Sequence, residues 1–227
     1  MATLAVVLSS NMFDLTLDYH SHVLPGCDHG SDSLETSLAQ LALAKEAGIG
    51  RVCATPHFYP QQEDVETFLC RRQDCYDVLQ PHLSEIGVSV TLGAEVLVCE
   101  GMAHMPGLRD LCRQGTDELL LEMPFYEWPR AIVDTVRGLV ELDDITVVLA
   151  HVDRYPPKSV EALGETGALM QVNAEAIANH PFGRRKFLEW SKRGWVRYLG
   201  SDIHMIGNGY NFWKKAARVI RDARCAA

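Results

Sequence analysis

Two short pairs open the case for metal chemistry: His20-Ser21-His22 near the N-terminus and Asp202-Ile203-His204 near the C-terminus. In an extended strand, residues i and i+2 face the same side, so both donors of each pair can reach one cation. Other donors stand directly behind apolar runs. His57 follows Thr55-Pro56, Glu95 follows Leu92-Gly93-Ala94, Glu122 follows Leu119–Leu121, and His151 follows Val147–Ala150. Taken singly, each is as well read as a paired core histidine or a surface carboxylate. Together they recur at one place in successive units. A carboxylate buried there without a cation would be costly. The donor set is too large for one ion, which takes four to six ligands, so two or three divalent ions are expected. Mixed nitrogen and oxygen donors without thiolate suit Mn²⁺, Fe or Zn²⁺ better than Ca²⁺. Paired ions clamp phosphoryl oxygens and generate hydroxide from water near neutral pH, so hydrolysis of a phosphate ester is the reaction expected. Arg154, three residues past His151 and beside Asp153, is placed to grip a phosphate bidentately; a surface ion pair with Asp153 is the plain alternative. His82, His104 and His180 lie away from apolar run ends and read as structural or exposed.

The elements that must carry these residues alternate. Apolar strand-like runs are expected at 15–18, 51–54, 88–98, 119–122, 146–150, 169–172 and 196–200. Helices are expected at 33–47, 63–86, 130–141, 159–166, 181–193 and 210–224. Ser31 or Ser33 is placed to cap the first of these and Gly48 to stop it. About seven βα units imply parallel strands with helical crossovers. The candidate ligands sit just past the strands' C-terminal ends, where a (β/α) barrel builds its active site.

Bulk properties agree. A chain of 227 residues suits one α/β domain, and 47% apolar residues suffice for a sizeable core. A net charge of −9 argues against nucleic acid as partner. Seven cysteines at irregular spacing, with no Cys-x-x-Cys, fit buried thiols in a reducing cytoplasm. No apolar run approaches the ~20 residues a membrane span requires. The apolar opening lacks a basic region, which argues against a signal peptide, and Met12 offers an alternative start.

A further signal lies in the order of whole motifs. Asp18-Tyr19-His20-Ser21-His22-Val23-Leu24-Pro25-Gly26-Cys27-Asp28-His29-Gly30 is followed by Ala54-Thr55-Pro56-His57, Gly93-Ala94-Glu95 and Leu121-Glu122-Met123-Pro124-Phe125. Then come Ala150-His151-Val152-Asp153-Arg154-Tyr155, Gln171-Val172-Asn173 and Ser201-Asp202-Ile203-His204. This set resembles the PHP (polymerase and histidinol phosphatase) superfamily. More narrowly it is similar to the bacterial capsule and exopolysaccharide tyrosine phosphatases of the CpsB/CapC/YwqE type. The resemblance implies a single-domain, distorted (β/α)7 TIM-like barrel over residues 15–227, with 1–14 as an N-terminal extension. It implies a three-metal site with His20, His22, His57, Glu95, Glu122, His151, Asp202 and His204 as ligands. Asp28 and His29 occupy two further ligand positions, and Asp153 and Arg154 match the family's acidic-Arg pair. The implied substrate is phosphotyrosine on protein, such as the tail of a tyrosine autokinase that controls polysaccharide export.

Three positions depart from the family pattern. Its Asp-Asp-Gly is Asp28-His29-Gly30 here, which makes an oxygen site richer in nitrogen. Its His-Pro-Glu-Arg is His151-Val152-Asp153-Arg154. The Arg that usually follows Ser-Asp-x-His is missing from Met205–Gly209. Two other readings therefore stand beside the protein phosphatase: a phosphoesterase for a small phosphorylated metabolite, and a catalytically weak metal-binding regulator of polysaccharide synthesis. An amidohydrolase is less favoured, since no Lys stands mid-chain where that family bridges its metals.

Overall fold

The computed structural model describes residues 13–225, excepting the side chains of residues 181 and 182. The expected extension at 1–14 thus lies almost wholly outside the described residues. Within them, Phe13 is buried and its carbonyl accepts a hydrogen bond from Arg224.

Strands and helices alternate: β1 (Leu17–Ser21), α1 (Leu34–Glu46), β2 (Arg51–Ala54), β3 (His57–Phe58), α2 (Val65–Leu79), α3 (Leu83–Ile86), β4 (Ser89–Leu92) and β5 (Glu95–Leu97). The second half follows with β6 (Glu118–Glu122), α4 (Arg130–Val140), β7 (Thr146–Leu149), α5 (Pro157–Gly164), β8 (Leu169–Asn173), α6 (Ala174–Asn179), α7 (Pro181–Lys192), β9 (Val196–Gly200) and α8 (Gly209–Cys225). Most follow the expected pattern, and local chemistry explains their ends. Ser33 caps α1 by accepting the Thr36 N–H, and Gly48 turns the chain away at φ 85°. The helical stretch expected at 63–86 is divided because Pro81 supplies no N–H, so a 3₁₀ turn separates α2 from α3. Helix α6 was not expected; it is short and follows β8 without the Gly or Pro that would mark a boundary.

All strands pair in parallel, in two sheets of order β1-β2-β4 and β3-β5-β6-β7-β8-β9. The sheets are joined along the chain, because β2 runs into β3 and β4 into β5. The interruption falls at Thr55-Pro56, where proline cannot donate to the ladder. Across the gap, Gly93 N donates to Ala54 O (2.9 Å) and Glu95 N to Pro56 O (3.1 Å). At the opposite margin, Asp202 N donates to His20 O (2.8 Å) and His22 N to Ile203 O (3.0 Å). The result is a single α/β domain of parallel strands.

Alternation along the strands sorts their side chains. Leu119 and Leu121 of β6, Val147 and Leu149 of β7, and Met170 and Val172 of β8 belong to the main core cluster, which also holds Trp213 and Ile220 of α8. Leu120 and Val148 belong instead to a second cluster with Tyr19 and Ala150. There Tyr19 stacks on Tyr198 with centroids 3.9 Å apart. Between Asp18 and Ser21, β1 carries one more residue than β2, which is a β-bulge. Bulges re-aim side chains beside active sites. Here the bulge turns His20 and then His22 toward the same interior that Tyr19 fills.

Candidate metal centre

Glu95 is the hub of the site. It is 1% exposed, and its two oxygens meet four imidazoles: His151 Nε2 at 2.7 Å, His57 Nδ1 at 3.0 Å, His22 Nε2 at 3.2 Å and His20 Nε2 at 3.4 Å. Asp202 Oδ1 adds a second anion, 3.2 Å from His20 Nε2, 3.5 Å from His22 Nε2 and 3.6 Å from His204 Nδ1. Glu122 lies farther out, 3.8 Å from His57 Nδ1 and 3.9 Å from His151 Nε2. The eight residues expected as ligands therefore converge on one place.

Outer partners fix the direction of the donor atoms. His20 Nδ1 is engaged by Thr55 Oγ1 (2.7 Å) and His22 Nδ1 by Asp28 Oδ2 (2.6 Å), so each ring turns Nε2 inward. Among the described residues, His20 Nε2, His22 Nε2, both ring nitrogens of His57, and Glu95 Oε2 are buried without a well-aligned hydrogen bond. Buried polar atoms are normally satisfied, and orphans of this kind call for an ion. Four sets of three donors lie close enough together to share one: His22/His57/His204, His20/His22/Glu95, His20/His151/Asp202 and His57/Glu95/Glu122. A set of imidazoles and carboxylates without thiolate fits divalent first-row ions.

Two of these residues sit in strained backbone. His151 has φ 30° and Asp202 φ 50°, the only non-glycine residues with positive φ among those described. Each costs of order 1–3 kcal/mol, and such strain collects at functional sites. Hydrogen bonds hold both, from His151 N to Gln171 Oε1 (2.6 Å) and from Asp202 N to the His20 carbonyl. Gln171 Nε2 in turn donates to Asn173 Oδ1 (2.9 Å), and Asn173 Nδ2 to Asp202 Oδ2 (3.2 Å). Gly200 lets these groups approach, because a Cβ there would lie 2.4 Å from Gln171 Nε2 and 2.8 Å from His20 Cβ.

Four expected site residues stand around the cluster rather than in it. Asp28 accepts from His22 Nδ1, from His57 N (3.0 Å) and from Gly30 N (2.9 Å), so its carboxylate orients His22. Asp153 accepts from Asn173 N (2.8 Å) and does not meet the cluster. His29 is exposed, with its ring against His57 and His204. Arg154, half-exposed, donates to Asp202 Oδ2 at the rim. His82, His104 and His180 stand outside the cluster, half-buried or exposed.

Sequence reading gave no role to Thr55, Gln171 or Asn173, nor to Asp18. Asp18 is fully buried and accepts from Ser201 N (2.8 Å) and Tyr210 Oη (3.0 Å), tying β1 to the chain after β9. Asn173 was detectable, since it too ends a strand. Thr55→Val would free the His20 ring. Loss of such an outer partner costs about 10–100-fold in metal affinity or activity. Chelator competition on the variant should read a weakening in that range, with the melting temperature nearly unchanged.

Charge follows the same geometry. Burial alone would push the His20 imidazolium toward deprotonation, but the Glu95 and Asp202 carboxylates outweigh it and hold its pKa up at about 9. Burial and then the Glu95 charge lift Glu122 to about 7, while burial drops His57 to about 4. A cation ligated by His20 would have to displace that proton below about pH 9. Acid weakens binding, and affinity should rise roughly tenfold per pH unit for each proton displaced. Competition with a chelator of known affinity at pH 6, 7 and 8 checks this; a flat profile would contradict it.

Comparison with known proteins matches this arrangement to a family. The model described as "Capsular polysaccharide synthesis, CpsB/CapC" matches residues 16–223. The tyrosine-protein phosphatase CpsB of Streptococcus pneumoniae is 24% identical over 222 residues, covering 90% of this chain and 89% of that one. Its counterpart in Streptococcus agalactiae is 22% identical over 223 residues, with coverage of 90% and 89%. Among solved structures, one described as YwqE from Bacillus subtilis and CpsB from Streptococcus pneumoniae, "unique metal-dependent tyrosine phosphatases", aligns with a TM-score of 0.77 at 22% identity. It covers 91% of this chain and 86% of that one. A beta-aspartyl dipeptidase from Fervidobacterium islandicum AW-1 aligns with a TM-score of 0.50 at 10% identity, covering 92% of this chain and 67% of that one, which speaks to fold alone. The expected resemblance is met: the chain belongs to the capsular polysaccharide synthesis CpsB/CapC family.

Proposed function

We propose that this protein is a metal-dependent phosphatase that hydrolyses phosphotyrosine on protein. The observation that carries the reading is the convergence of four imidazoles on the buried Glu95, with Asp202 closing the far side. His20, His22, His57, Glu95, Glu122, His151, Asp202 and His204 hold two or three divalent ions, with Mn²⁺ the first choice and Fe or Zn²⁺ the others. Such ions supply charge neutralisation at the phosphoryl oxygens and lower the pKa of water. The chain's own groups do the rest. Arg154, directed inward by Asp202, binds a phosphoryl oxygen. Asp153 fixes the Asn173 backbone, and Asn173 steadies Asp202.

Support for an aromatic ester comes from the rim. Phe125 and Tyr126 follow Glu122, Met205 and Ile206 follow His204, and all four are exposed apolar side chains. Phe125 lies over the His151 ring with centroids 5.9 Å apart and planes inclined by 19°. Exposed apolar clusters beside a polar site mark where an apolar ligand group rests, and a tyrosyl ring fits that chemistry better than a sugar phosphate. The names of the relatives support the same substrate.

For the fold, we read β2 with β3 and β4 with β5 as single interrupted strands. That gives seven consecutive positions, and hydrogen bonds from the chain after β9 to β1 favour a distorted (β/α)7 barrel. The cysteines are free thiols and no helix among the described residues is long and apolar enough to cross a membrane. We place the enzyme in the cytoplasm and its substrate on a tyrosine autokinase of the capsule pathway.

The test is substrate comparison with Mn²⁺-loaded protein: a phosphotyrosine peptide, p-nitrophenyl phosphate and a sugar phosphate. The peptide should be turned over with the highest kcat/KM, and the sugar phosphate least. Preference for the sugar phosphate would favour a metabolite phosphatase, and no turnover of any would overturn both.

A further inference from the structure

Charge is not spread evenly along the chain. Residues 184–224 hold eleven of its 21 Lys and Arg but only three of its 30 Asp and Glu. That stretch carries a surplus of eight positive charges, and the rest of the chain a surplus of seventeen negative ones. The phosphatase chemistry above uses Arg154 and none of these cations.

Part of the surplus gathers on one face of α8. Asn211, Lys215 and Arg218 are spaced by four and three residues, which puts them on one side of a helix, and all three are exposed. With Asn208, Phe212 and Lys214 they line a groove of about 400 Å³. Three of these six residues are cations, two are amides and none is a carboxylate. Lys215 Nζ lies 5.8 Å from the centroid of the Phe212 ring, which holds the ammonium over the groove. Lys214 Nζ is 3.9 Å from Glu46 Oε2 of α1, a loose pair of the kind that contributes little. Lys215 and Arg218 form no ion pair with any described residue, and the one acid of this face, Asp222, stands a turn beyond Arg218. The groove is tied to the metal centre by the chain itself. Asn208 is four residues past His204, whose ring stacks on His22 at 4.0 Å, so no more than roughly 14 Å of chain separates the two.

We propose that this groove on α8 docks an acidic segment of the substrate protein that adjoins the phosphotyrosine in sequence. This rests on the phosphotyrosine phosphatase reading above. A phosphotyrosine held at the metal centre sends its neighbours out across the rim, and about four extended residues reach the α8 cations. The negative remainder of the surface repels an acidic segment and steers it to this face. Exposed complementary charges act on encounter and register rather than on the chemical step, so the groove selects substrates through KM. The cations line a concavity on one helix flank, a shape that suits a narrow chain better than a flat lipid surface.

The experiment compares phosphotyrosine peptides of equal length on Mn²⁺-loaded full-length protein. One has four Glu on the N-terminal side of the phosphotyrosine, one has them on the C-terminal side, and one has Gln in their place. One of the two acidic peptides should exceed the Gln peptide about tenfold in kcat/KM, the size expected of a few exposed charge pairs. The gain should lie in KM and vanish in 0.5 M NaCl. The double variant Lys215→Glu/Arg218→Glu should lose the preference, with kcat on the Gln peptide and the melting temperature unchanged. No preference in wild type, or a preference kept by the variant, would overturn the proposal. So would wild type that favours no peptide but pellets with phosphatidylserine vesicles through Lys215 and Arg218, which would assign the face to a membrane. Fluorescence anisotropy of the labelled acidic peptides reads the groove without turnover. Binding to wild type and not to the variant, with no peptide hydrolysed, would uphold the groove and defeat the phosphatase reading instead.

Discussion

Glu95→Gln should reduce turnover of a phosphotyrosine peptide by more than 100-fold while leaving the fold intact. The substitution keeps the side chain's shape and removes its charge. Glu95 is 1% exposed and its oxygens lie 2.7–3.4 Å from imidazoles of His151, His57, His22 and His20. No other carboxylate among the described residues meets so many imidazoles. Without that anion, Asp202 and the more distant Glu122 are left to balance the ions. Outer partners of metal ligands cost about 10–100-fold when removed, and a carboxylate among the donors themselves should cost more. Metal content should fall in parallel. The direction of the pKa shifts gives an independent check. Glu95 helps hold His20 at about 9, so the variant's His20 should lose its proton at lower pH, which imidazole NMR reads directly. Near wild-type activity in Glu95→Gln would remove the hub from the mechanism.

Arg154→Ala should lower kcat/KM for the same peptide by about 10²–10³-fold, the usual cost of removing one preorganised donor from a developing charge, with metal content unchanged. The guanidinium is half-exposed and held by Asp202, so it stands at the rim rather than among the ligands. The loop after β9, Met205–Gly209, offers no second cation. One guanidinium then carries what two could share. Arg154→Lys should recover little, because an ammonium cannot reproduce the two-pronged contact with a phosphate. A loss of bound metal equal to the loss of activity would assign Arg154 to holding Asp202 instead.

What the sequence conveyed was periodic. His20 and His22 share a face in any extended segment, and strand-end donors repeat along a parallel α/β chain, so the eight clustering residues were legible without coordinates. Long-range pairings were not. Asp28 looked like one more carboxylate ligand, yet the turn to Gly30 and the backbone at His57 draw it onto the back of His22. Asp153 looked like a partner of Arg154, but the 3₁₀ turn after His151 points it at Asn173 N. Thr55 gave no signal because its role depends on β1 and β2 lying side by side. The break between β2 and β3 was foreshadowed only by Pro56. The bulge in β1 had no local signature, and it is what lets Tyr19 and His20, neighbours in sequence, both face inward.

The most direct test of the central claim is one titration: phosphate release from a phosphotyrosine peptide by chelator-stripped protein, measured against added Mn²⁺. Activity should start at background and saturate after two or three equivalents per chain. Full activity in the stripped protein, or none at saturating metal, would contradict a multinuclear hydrolytic centre at Glu95.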